Sequence, residues 1–431
     1  HRFSFPLLSA CFVFGCTIQE VPADDDDNGP APKTLCASND ECVVDTPESP
    51  LCDFDTGECL PLPAGHPLGW RDGSPESVSI PAIYTPEKPL EATDLAFHTD
   101  PARAGELWVL RREFEPNGPC LQSNTSSVTC SGLEGSIGVV FNAGTNQVTA
   151  QSYKDFNAWH FMRRPTALAF GDNGNFATIH EARTGNFSND PVDFIGPSLW
   201  PSALPGITPG CETSPTGCFS AQPPGKNGSH LDMLHCTPWG MGIAHEQGNT
   251  YWVFNGNVGA LERYDFRADH GPGNDDHSDG EVRRYVTGQL TRVPNIPSHL
   301  VFNKEDGHVY AADTGAGRIV KLNPATGAVA TGITPNYEAI DAKVVDGAVL
   351  TVVVPPGILT SPSGIELHEG HLYVTDNATS RIHAFDLQGQ EVRHLQTNFA
   401  PGSLAGLTIG PDGKLYFVEK PTGSVHRIDP M

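Results

Sequence analysis

The sequence predicts an all-β fold, a six-bladed β-propeller behind an N-terminal tether and a small disulfide-rich module. Three observations carry this reading. Short apolar runs recur between turn residues in a chain with 45 Gly and 38 Pro, and few stretches show helical periodicity. One three-strand unit repeats along most of the length, as a blade array requires. The last copy stops before a fourth strand, while a spare strand precedes the first copy.

The clearest unit runs Pro297 to Phe302, then His308 to Asp313, then Arg318 to Leu322. The next runs Pro362 to Leu367, His371 to Asp376 and Arg381 to Phe385. The last runs Leu404 to Ile409, Lys414 to Glu419 and Ser424 to Ile428. Looser copies start near Thr93, Pro165 and Pro238. Each copy is followed by a variable stretch that can hold a fourth strand. An open edge on the last blade would invite aggregation, so Ser77 to Tyr84 is expected to complete it.

The segments Asp313 to Ile319 and Asp376 to Ile382 resemble NHL repeats, whose second strand ends in Asp and whose third opens with Arg-Ile. The resemblance covers roughly residues 90–431. It implies that Asp313, Asp376, Arg318 and Arg381 are structural, the Asp capping turn amides and the Arg pairing with it. Six-bladed NHL propellers include the lyase that finishes peptide amidation, in which the zinc histidines directly follow a Pro on innermost strands. Here Thr166, Ser298 and Ser363 hold those places and His299 lies one place later, so that family's catalytic residues do not transfer. Lactonase-type propellers hold calcium with Glu, Asn and Asp in the channel; Asn255 and Asp232 are of the right type, without a spacing that singles them out.

The N-terminal part reads as an export signal. His1 and Arg2 look like the remnant of a basic leader, and Phe3 to Gly15 are apolar but too short to span a bilayer. Residues 1–16 resemble a lipoprotein signal, with Cys16 as the lipidated residue and Cys11 as the alternative. Residues 17–34 form an acidic, Pro-rich linker. Residues 35–60 hold Cys36, Cys42, Cys52 and Cys59 with too few apolar residues for a core, so disulfides must hold this module. Cys120 with Cys130 and Cys211 with Cys218 would close short loops, leaving Cys236 as a free thiol, a ligand or part of another connectivity. The propeller is assigned to residues 77–431, outside the cytoplasm, as a surface lipoprotein or a secreted monomer.

The net charge of −25 argues against nucleic acid and favours cations. There is no Gly-x-Ser-x-Gly elbow, no His-Glu-x-x-His and no phosphate-binding Gly loop. The pairs His180-Glu181 and His245-Glu246 fall on strands, so neither makes a helical zinc motif. Residues 230–299 carry His230, His235, His245, His270, His277 and His299. Innermost strands line the channel, so His245 and His299 are expected there. The loop with His277 and Asp279 is expected to fold over the channel mouth, and His235 to enter from the same side. Together these five would bind a divalent transition metal such as Zn or Cu. Calcium stands second, because His277 occupies a ligand place in the partial calcium loop Asp275 to Glu281. Three functions fit: a metal-holding propeller that binds a small-molecule, glycan or protein ligand; a metal-dependent lyase or hydrolase; and an interaction scaffold without metal.

Overall fold

The computed structural model describes residue 42 and residues 51–53, 58–60, 66–69, 73–87, 89–112, 137–155, 164–183, 193–202, 207–209, 230–271 and 276–430. Cys11, Cys16, Cys36, Cys120, Cys130, Cys211 and Cys218, the linker and the side chain of Cys52 lie outside them. Within the N-terminal module, Leu51–Asp53 pairs with Glu58–Leu60, and Cys42 is disulfide-bonded to Cys59.

Six sheets, antiparallel apart from one added parallel pair in blade three, form six blades. Their innermost strands are Ala92–Phe97, Pro165–Phe170, Gly240–Gln247, Leu300–Asn303, Pro362–His368 and Leu404–Ile409. These touch one another in sequence order, and the sixth touches the first, which closes the ring. Hydroxyls stitch the seams near the axis. Thr93 donates to the Pro165 carbonyl at 3.0 Å, Thr166 to Gly240 at 2.8 Å, Thr314 to Pro362 at 2.6 Å and Thr375 to Ala405 at 2.6 Å. The core lies between blade faces; between blades one and two it is Trp108, Phe170, Phe176 and Trp200.

Closure follows the expected route. Ala82–Tyr84 pairs antiparallel with Ser424–Arg427 as the fourth strand of blade six, and Val78–Ser79 pairs with Asp429–Pro430. Packing begins earlier than residue 77, however. Leu68 is fully buried with Val78, Tyr373 and Leu404, and His66 packs against Tyr373.

Two additions were not foreseen. Ile207–Pro209 extends blade one outward as a fifth strand. The hairpin Ala328–Gly332 and Asp341–Asp346 leaves blade four and joins blade three, pairing parallel with Glu281–Tyr285, before Val349–Val354 completes blade four.

The repeat Asp residues act as read, with one correction. Asp313 accepts the Thr291 amide at 2.8 Å and pairs with Arg318 at 2.8 Å. Asp376 instead accepts the amides of Thr360, Ser361 and Ala378, which occupies both oxygens, and Arg381 donates to Gln396 at 2.7 Å.

Candidate functional site

The five predicted ligands divide between two places. His245 and His299 line the channel, whereas His235, His277 and Asp279 sit near the outer edges of blades two and three. The cause is radial position. Three strand spacings separate an innermost from an outermost strand, roughly 14 Å. The loop carrying His277 precedes the fourth strand of blade three, and its partner Asp232 lies on Asp232–Met233, the fourth strand of blade two.

The outer cluster is built on Asp232. Its carboxyl is buried, and Oδ1 accepts the Met233 amide at 2.7 Å and meets Nδ1 of His277 at 2.5 Å. Oδ2 is buried without a hydrogen-bond partner. Asp232, His270 and Asp279 each bring a ligand atom within 4.8 Å of the other two. Burial pushes the Asp232 carboxyl above the usual range, against the pull of His277. Burial works against the charged form of His270, but its 3.0 Å bond to Asp279 and the charges of Asp279, Asp232 and Asp276 together outweigh this and hold its pKa up.

Beside this cluster, His235 stacks on Phe194 with ring centroids 3.4 Å apart. Glu338, from the hairpin that crosses from blade four, accepts the His235 amide at 3.1 Å and also contacts Nδ1. Cys236 is a buried free thiol pushed up to about 12 by burial, so it stays protonated at neutral pH. Asn255 orders a turn and donates to Glu262 and the Cys236 carbonyl. The strand pairs are structural: Glu246 binds Arg263 and Trp252, and Glu181 binds Arg112, Arg164 and Arg292.

The channel holds the second constellation, a cavity of about 310 Å³ lined by all six innermost strands. At matching places, third in five of these strands and immediately before Leu300–Asn303 in blade four, stand Asp94, Ala167, Gly242, His299, Gly364 and Gly406. Strands crowd here: a Cβ on Gly242 would lie 2.0 Å from the Ser298 carbonyl, and one on Gly406 would lie 2.4 Å from Asp94 Oδ1. Asp94 and His299 meet in the space so formed. Burial raises the Asp94 pKa, against the pull of His299 and of the Leu168 and Leu95 amides, each 2.9 Å from the carboxylate. His299 Nε2 reaches the Thr166 carbonyl at 3.0 Å.

Two places further on, the strands carry Ala96, Ala169, Ala244, Val301, Glu366 and Thr408. Glu366 was missed at the sequence level. Its signal was positional, a lone carboxylate where the other repeats have small or apolar residues or Thr. It is half-buried, lines the channel cavity, and desolvation pushes it up to about 7.

No family model matches the chain, and no curated protein matches it. Among solved structures the chain is similar to a protein of unknown function from Bacteroides thetaiotaomicron, at 9% identity over 82% of this chain and 76% of that one, TM-score 0.47. It is similar to an auxiliary nutrient binding protein from Bacteroides ovatus, at 12% identity over 83% and 74%, TM-score 0.46. It is also similar to virginiamycin B lyase from Staphylococcus aureus, at 9% identity over 82% and 100%, TM-score 0.41.

Proposed function

We propose that this chain is an exported, lipid-anchored NHL-type propeller that binds a ligand and holds a divalent transition metal at the Asp232 cluster. The observation that carries the metal reading is the unpartnered Oδ2 of buried Asp232, beside the ligand atoms of His270 and Asp279. A desolvated carboxylate oxygen without a donor is costly, and a cation would relieve that cost. One imidazole and two carboxylates suit zinc or a similar ion, with positions left for water or ligand. His277 serves as the orienting partner of Asp232, and His235 with Glu338 borders the site.

Export and anchoring rest on the apolar segment before Cys16, and the Cys42–Cys59 disulfide fits an oxidising compartment. A Cys16→Ser change should release the protein from membranes; continued membrane association would move the anchor to Cys11.

The metal reading is tested by titrating zinc into protein purified in metal-free buffer. One equivalent should bind at neutral pH. Asp232→Asn and His270→Gln should each abolish binding, and the His245→Ala, His299→Ala double variant should retain it. Loss of binding only in the channel double variant would move the metal to the axis, and no zinc uptake by the unaltered protein would end the reading.

A further inference from the structure

The channel cavity shares no residue with the Asp232 cluster. We propose that it is a second binding site, for a small organic cation: an ammonium group on an apolar body, its charge against Glu366 and its body along the alanine-lined wall.

Glu366 is the starting point, because the fold's other desolvated carboxylates are answered either by a cation or, as at Asp376, by three backbone amides. Glu181 is answered by Arg112, Arg164 and Arg292, Glu262 by Arg284, Asp313 by Arg318, and Glu391 by His383 and His394. Among the described residues no cation pairs with Glu366. It has the Leu367 amide at 3.2 Å and the Thr408 hydroxyl, both neutral. Asp94, its acidic neighbour, disfavours its ionisation further. A desolvated anion without a counter-charge is a binding determinant for a cation that enters from outside.

The space around it suits such a guest. The cavity, about 310 Å³, is at the lower end of the range that takes small organic ligands. Asp94 and His299, in contact with each other, both line this cavity. Beside Glu366 the wall is Ala96, Ala169, Ala244 and Val301, which offers apolar contact and no competing charge. Phe97, Phe170 and Phe302 line the same cavity, and aromatic faces favour cations.

The same inventory argues against other guests. An anion would meet two acidic groups in a chain of net charge −25. A bare metal ion would find too few donors, since Asp94 is already engaged by His299 and two amides and the wall is alanine. An ammonium needs one carboxylate, a few acceptors and an apolar sleeve, and the cavity supplies each.

The probes are benzylamine, its neutral counterpart benzyl alcohol and its anionic counterpart benzoate, titrated calorimetrically at about pH 8. Benzylamine should bind one to one with a Kd of roughly 1 mM or tighter, at least tenfold tighter than benzyl alcohol, and benzoate should not bind. Glu366→Gln, which keeps the shape and removes the charge, should weaken benzylamine at least tenfold. Ala169→Leu fills the lumen without touching a carboxyl and should do the same. Asp232→Asn should leave benzylamine binding unchanged, which separates this site from the metal cluster. Equal affinity for amine and alcohol, full retention of binding in either cavity variant, or no saturable binding of benzylamine overturns the proposal.

Discussion

Asp94 of blade one and His299 of blade four belong to blades that face each other across a six-membered ring, and their Oδ1 and Nδ1 atoms lie 3.4 Å apart. Neighbouring blades are joined by backbone and hydroxyl seams, whereas this pair spans the axis. It ties opposite sides of the ring to each other.

Removing one member should leave the other buried and uncompensated. His299→Ala should destabilise the propeller by about 2–4 kcal/mol, and Asp94→Asn by a similar amount. The double variant should cost less than the sum, with a coupling of about 1–3 kcal/mol in urea unfolding. Strict additivity would mean the two side chains act separately.

Glu366 sets a pH dependence. Its folded pKa of about 7 lies above its ordinary value, so the folded state binds more protons than the unfolded state between about pH 4.5 and 7. Stability should therefore fall as pH rises through that window. Glu366→Gln should flatten the profile and raise stability at pH 8 by about 1–3 kcal/mol, the solvent-facing lumen holding the effect below its full value. A profile unchanged by the substitution would show that the carboxyl is already ionised at neutral pH.

Metal should stabilise the fold by mass action. At a free zinc concentration a hundredfold above Kd the gain is about 2.7 kcal/mol, and a chelator should reverse it. The Asp232→Asn variant should show no zinc-dependent change in melting temperature. Its metal-free stability should match or exceed that of the unaltered protein, because the substitution removes a buried, partly unpartnered charge.

Closure gives a graded truncation series. Deleting residues 1–64 should leave a folded propeller. Deleting through residue 70 removes Leu68 from its buried site and should cost about 2–4 kcal/mol. Deleting through residue 88 removes Ala82–Tyr84, exposes Ser424–Arg427 as an edge and strips Arg111 of its 2.7 Å bond to the Tyr84 hydroxyl. That form should aggregate or lose cooperative unfolding. Equal melting of all three would show that closure does not depend on the N-terminal strand.

The ring was legible because its local signals are periodic: the strand-ending Asp313 and Asp376 and the paired starts at Pro297 and Pro362 recur with the blades. Leu68 was not, since one apolar residue in a Pro- and Gly-rich run carries no period. The crossing hairpin was missed because its strands alternate like any fourth strand, and sequence does not say which neighbour a strand chooses. The histidine-dense stretch 230–299 holds both the Asp232, His270 and Asp279 group and the channel residues His245 and His299. Its grouping failed because distance along the chain is silent about radius: His299 near the axis and His277 near the rim belong to adjacent blades but lie at different depths. Glu366 stands out only once the six strands are aligned on one another and its alanine counterparts are seen.

The hairpin that passes from blade four to blade three also dictates the order in which the ring comes apart. Its parallel ladder matches Glu281 with Asp341 through to Tyr285 with Val345, and both of its ends return to blade four. Blades three and four cannot swing apart without tearing that ladder, so their amides should exchange with solvent as one block. Among the described residues the seam between blades six and one is crossed by bonds such as Ala92 N–H to the Lys420 carbonyl and by the Lys420–Glu91 ion pair but by no such hairpin, and blade six itself is finished by the three residues of Ala82–Tyr84. Opening should start there, and the cavity around Glu366 would then be reached by loosening that side of the ring first.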